Sequence, residues 1–174
     1  HLLLRKEVAD PTGFRPVPLL SADILNEGDL LFARCTGEPV ASRPEPIATP
    51  KPEKLSLIHT DVGVNLVGCG AGLRLIDWQC PAIGDVCEDI YSFLSPAFQI
   101  LGKRQPLTKK QISIFWNALD RPDLAHRYDQ LRASFAWRFS SDCAWQAQVL
   151  EDPNICKKYR RALEVELAYM KDAL

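Results

Sequence analysis

The chain has 174 residues and a mass of 19.5 kDa, with 47% apolar and 25% charged residues and a formal net charge of −1. That is the mix of a folded domain, neither disordered nor fibrous, and at this length one core burying roughly 70% of the unfolded surface is expected. Its 21 Lys and Arg are scattered among 22 Asp and Glu, which argues against nucleic acid as a partner, and its longest apolar runs, Leu30 to Ala33 and Leu55 to Ile58, fall far short of the roughly 20 residues that cross a bilayer.

Residues 1–20 lack periodicity and are broken by Pro11, Gly13, Pro16 and Pro18, so they read as extended or looped. Ser21 is a start signal for a helix over Ala22 to Arg34, with Ile24, Leu25, Leu30, Leu31 and Phe32 as its apolar positions and Gly28 as its weak point. Residues 36–54, with Pro39, Pro44, Pro46, Pro50 and Pro52, read as an extended surface loop. Three short apolar runs follow, Leu55 to Ile58, Val64 to Val67 and Leu73 to Ile76, and predict short strands. The glycines of Gly68-Cys-Gly-Ala-Gly72 supply the positive φ of a hairpin turn between the last two.

From Asp85 onward the pattern is helical. Val86 to Phe98 carries Ile90, Phe93 and Leu94 on one face, and Pro96 ends or bends it. Thr108-Lys-Lys-Gln111 has capping-box spacing and opens a helix ending near Asp120. Asp120-Arg-Pro-Asp123 opens a long helix to about Leu150, whose Tyr128, Leu131, Phe135, Phe139, Cys143, Ala147 and Leu150 must be buried. Asp152-Pro153 starts the last helix, carried by Ile155, Tyr159, Ala162, Leu163 and Leu167. The fold class expected is α+β in a single lobe, with a lead-in helix and proline-rich loop over 1–54, a hairpin over 55–80 and a helical bundle over 85–174. The six cysteines contain no CxxC pair, and no signal peptide is visible, so reduced thiols in a cytoplasmic protein are expected.

One stretch departs from core and surface statistics: His59-Thr-Asp61-Val-Gly-Val-Asn65, then the hairpin, then Ile76-Asp77-Trp78. It brings a carboxylate base, an amide oxygen and a second carboxylate to one edge of a strand pair. Phosphoryl transfer from ATP requires such groups, because a hydroxyl must be oriented and Mg²⁺ held by hard oxygen ligands. Any one of these residues alone would more simply be a cap or a solvated carboxylate.

This order, together with Gly84-Asp85-Val-Cys-Glu-Asp89-Ile-Tyr91, resembles the catalytic and metal loops of the aminoglycoside phosphotransferase and choline kinase family, over about residues 55 to 95. The resemblance implies the helical C-terminal lobe of a protein-kinase-like fold. It implies Asp61 as catalytic base, Asn65 and Asp77 as Mg²⁺ and nucleotide ligands, His59 beside Asp61 in the catalytic motif mainly as a brace, and Asp89 as structural support. ATP and a small-molecule hydroxyl acceptor are the implied partners, with Asp85, Glu88 and Trp78 as candidate acceptor contacts.

Two departures bear on this. Three residues separate Asp61 from Asn65, where the kinase pattern H-R-D-x-x-x-x-N has four. No glycine-rich phosphate loop or strand lysine precedes the motif, where the family spends roughly a hundred residues on an ATP-gripping lobe, so the chain is expected to start midway through a longer protein. The alternative is a catalytically inactive kinase-like binding module.

Overall fold

The computed structural model describes residues 15–36, 41–63, 65–70 and 72–173. The expectations for residues 1–14 and for Pro39 lie outside these. In chain order the elements are β1 (Arg15–Pro16), α1 (Ser21–Phe32), β2 (Ser56–Ile58), β3 (Leu66–Cys69), β4 (Gly72–Leu75), β5 (Ala82–Gly84), α2 (Val86–Leu94), α3 (Pro96–Leu101), α4 (Lys109–Leu119), α5 (Pro122–Val149) and α6 (Pro153–Lys171). The chain is therefore mainly helical with two small sheets. Among the described residues no helix is long and apolar enough to cross a membrane, and all six cysteines are free thiols.

The helix signals act where they stand. Thr108 and Gln111 form a capping box, Asp152 caps α6 through the Asn154 amide with Pro153 in the first turn, and Asp120 closes α4 in the left-handed conformation. Pro96 breaks the run 86–98 into two helices, because Ser95 both ends α2 and caps α3 by accepting from the Phe98 amide. Two readings are corrected. Ser21 does not cap α1; the N-cap is Leu20, and the Ser21 hydroxyl instead pairs with Ser134 on α5 at 2.8 Å and accepts the Ile47 amide at 3.0 Å. Gly28 is not a weak point but the crossing point, since a Cβ there would sit 2.6 Å from Trp137 Cδ1 and 3.1 Å from the Arg138 backbone.

Helix α5 lies between α1 and α6 and packs against both. The stripe from Tyr128 to Ala147 is buried as its spacing predicts, while Leu150 is only half-buried at the helix end. Because α5 is covered from two sides, it also buries Ser134, Ser140, Ser141 and Asp142. On α6 the buried line is Cys156, Ala162, Glu166 and Met170, and Ile155, expected in the core, is exposed.

The hairpin β3–β4 pairs Leu66 with Leu75 through Cys69 with Gly72, with Gly70 at φ +59 in the turn. The other sheet has β5 at its centre, parallel to β1 and antiparallel to β2, around Val17, Ile58 and Ala82. This sheet delivers the chain at Ile58 straight into the segment 59–65.

Glu166 joins the last helix to the break between α2 and α3. It is fully buried and accepts from the Tyr91 hydroxyl, from the Ser95 hydroxyl at 2.7 Å and from the Ala97 amide at 3.0 Å. Burial pushes its carboxyl up from 4.5 to about 7, and the three donors only partly oppose that. The folded chain therefore holds a proton there that the unfolded chain gives up near pH 4.5. The stabilisation is complete below pH 4.5 and is lost as pH rises through 7, by on the order of 3 kcal/mol. Urea unfolding of wild type from pH 5 to 8 should show this decline, and Glu166→Gln should flatten it.

Candidate active site

Residues 59–63 leave β2 and lie against the first turns of α2. The Asp89 carboxylate accepts two consecutive backbone amides, His59 at 2.9 Å and Thr60 at 2.7 Å. Aiming both amides at one carboxylate puts Thr60 at φ +67, an unfavourable conformation for a β-branched residue. The Thr60 hydroxyl adds a bond to the Cys80 carbonyl at 2.9 Å. Burial pushes the Asp89 carboxyl up, and the two amides pull it back in part.

His59 is 1% exposed, and both ring nitrogens are engaged by backbone. Nδ1 accepts the Asp61 amide at 3.3 Å, so Nε2 carries the hydrogen and donates to the Ile76 carbonyl at 2.8 Å. Both ring nitrogens are thus taken up by backbone groups, an arrangement suited to the expected brace.

Past Asp61 the backbone turns tightly. The Val62 amide donates to Ser92 Oγ at 3.0 Å, and the Asn65 amide returns to the Val62 carbonyl at 3.2 Å. Asn65 is nearly buried, and its side-chain nitrogen donates to the Asp61 carbonyl at 3.0 Å. Its own carbonyl accepts the Ile76 amide at 2.9 Å, which places Asp77 at the same end of the hairpin. Asp77 is exposed, at φ +61, with its carboxylate accepting from the Gln79 side chain at 2.5 Å. Asp61, Asn65 and Asp77 thus stand on two loops joined by bonds to the Ile76 backbone.

Among the described residues no cluster of three or more His, Cys, Asp or Glu side chains is placed to hold a metal. Asn65 and Asp77 carry one amide oxygen and one carboxylate, hard donors of the kind Mg²⁺ takes alongside waters and phosphate oxygens.

The candidate acceptor contacts fare differently. Asp85 is buried, caps α2 through the Cys87 amide and forms an ion pair with Arg127. Glu88 is buried against Arg138 at 2.9 Å. Each acid sits beside an arginine of α5, which offsets its charge. Asp85 does border a cleft of about 610 Å³ between residues 50–54 and the start of α5, but Asp61, Asn65 and Asp77 do not line it. Trp78 is 45% exposed and packs edge-on against the His59 ring at 4.6 Å. Sequence reasoning missed Ser92 and Thr60 as loop anchors, because a serine in a helix and a threonine in a loop carry no signal of their own.

Comparison with known proteins places the chain among sequences similar to small-molecule kinases, over part of its length. Thiamine kinases from Salmonella paratyphi B, Salmonella newport and Salmonella heidelberg are each 31% identical to it over 97 residues, 55% of this chain and 32% of each relative. The matched segment therefore spans about a third of the length of these relatives. No family model matches the chain, and no solved structure matches it.

Removing Asp89 leaves two buried amides without an acceptor. At roughly 1–3 kcal/mol for each orphaned group, Asp89→Ala should destabilise by about 3 kcal/mol. Asp89→Asn, which keeps one acceptor oxygen, should fall between it and wild type in urea midpoint at unchanged slope.

Proposed function

We propose that the chain is the helical lobe of a protein-kinase-like fold and takes part in ATP- and Mg²⁺-dependent transfer of a phosphoryl group to a hydroxyl of a small molecule. The observation that carries this reading is the interlocking of two strained loops, 59–65 and 76–79, by the Asn65–Ile76 and His59–Ile76 bonds. Left-handed φ at Thr60 and Asp77 is backbone strain of the sort that proteins keep at working sites. Similarity to thiamine kinases supports the reaction class, and thiamine, the acceptor in their name, is the first to try.

In this reading Asp61 takes the proton of the acceptor hydroxyl as its oxygen bonds to the γ-phosphorus and the bond to the ADP oxygen breaks. Asn65, through its side-chain oxygen, and Asp77, through its carboxylate, would hold Mg²⁺, which when bound neutralises charge on the phosphate oxygens. His59, Thr60, Ser92 and Asp89 do no chemistry. They fix the loop before substrate arrives, and in phosphoryl transfer such positioning is most of what a protein contributes.

A second reading, a kinase-like binding module without turnover, is favoured by one observation. The contracted spacing from Asp61 to Asn65 goes with an Asn65 side chain turned back onto the Asp61 carbonyl. The full-length protein separates the two. Turnover of thiamine or another alcohol with Mg²⁺ and ATP, lost by about 10³-fold in Asp61→Asn while the nucleotide-dependent thermal shift persists, is the expected outcome. Asp77→Asn should lose the Mg²⁺-dependent part of that shift. A shift without turnover supports the module, and neither would reject the kinase reading.

A further inference from the structure

We propose that Arg104 is a positioning residue for the loop bearing Asp61 and Asn65, fixing the Gly63 carbonyl from outside α2. Helix α3 ends with Gly102, after which Lys103 adopts φ +59. The Lys103 amide returns to the Ile100 carbonyl at 2.9 Å and the Arg104 amide to the Gln99 carbonyl at 2.8 Å. These two bonds are the 5→2 and 6→1 pair of a Schellman motif. Gln99 is itself buried and its side chain donates to the Phe93 carbonyl at 2.6 Å, which ties this end of α3 to the end of α2. The Arg104 backbone is thus held firmly although its side chain reaches solvent.

From that anchor the guanidinium Nη1 donates to the Gly63 carbonyl at 2.9 Å, 41 residues away in sequence. Gly63 lies inside the span closed by the bond from the Asn65 amide to the Val62 carbonyl, and its own carbonyl is the point that Arg104 holds. The other anchors, Asp89 and Ser92, act on His59, Thr60 and Val62 and do not reach it. Gly63 also lies flat on the helix pair, since a Cβ there would collide with the Ser92 carbonyl and come within 3.1 Å of Phe98 Cβ. Gly63 is thus held on one face by packing and at its carbonyl by Arg104.

The purpose assigned to this contact rests on the phosphotransfer reading, but its existence is tested without it. Amide hydrogen exchange is followed by NMR in wild type, Arg104→Ala and Arg104→Lys. In Arg104→Ala the Val62 and Asn65 amides should exchange about tenfold faster while amides of α5 and β5 are unchanged, and Arg104→Lys, which keeps a donor, should recover most of the protection. In the phosphotransfer assay on the full-length protein, kcat should fall about tenfold in Arg104→Ala with KM for ATP within about twofold of wild type, again with recovery in Arg104→Lys. Unchanged exchange at Val62 and Asn65, or equal acceleration throughout the chain, would overturn the assignment. Absence of turnover in wild type would count against the kinase reading alone, and the exchange result would still decide the role of Arg104.

Discussion

The site depends on one carboxylate. Asp89, in the first turn of α2, receives the amides of two successive residues, His59 and Thr60, and sets the direction in which the chain leaves β2. The magnitudes explain why it holds. A left-handed threonine is strained by roughly 1–3 kcal/mol. Each hydrogen bond to a charged acceptor contributes about 1.5–3 kcal/mol, and here there are two, so the pair outweighs the strain. The orientation of Asp61 follows, because the same twist sets its amide onto His59 Nδ1.

The helix that offers Asp89 is itself held from behind. Glu166 on α6 gathers Tyr91, Ser95 and the Ala97 amide, which fixes α2 where it breaks into α3. Ser92, one turn beyond Asp89 on the same face of α2, takes the Val62 amide. A chain of contacts therefore runs from the last helix through a buried carboxylate to the loop of the proposed base. A buried carboxylate is an expensive tether, since desolvation disfavours its charged form, and near neutral pH it is close to half-protonated. Its three donors are what make it tolerable there.

Much of this was legible in the sequence, for a physical reason. Caps, proline breaks and glycine turns act within four or five residues, so Thr108 with Gln111, Pro96 and the 68–72 turn could be read directly. The order of His59, Asp61, Asn65, Asp77 and Asp89 is likewise a local signature. What could not be read was long-range partnership. Strand β5 is three residues long and exists only because β1 and β2 flank it. Asp85 and Glu88 looked like free acids because the arginines that neutralise them stand 42 and 50 residues further on, at 127 and 138. Ser21 looked like a cap because its true partner is Ser134.

The contracted loop is where local and long-range effects meet. The chain folds back between Asp61 and Asn65, so that the Asn65 side chain bonds to the Asp61 carbonyl and the Asn65 backbone carbonyl to the Ile76 amide at once. The amide nitrogen is taken up by the first of these contacts, which leaves the amide oxygen for the proposed cation. A shorter loop is thus compatible with the proposed chemistry only if the turn is stiff, because a shorter connection has fewer residues over which to correct an error in direction. Stiffness here comes from glycine packed flat against Ser92 and Phe98 on one side and a fixed hydrogen-bond donor on the other.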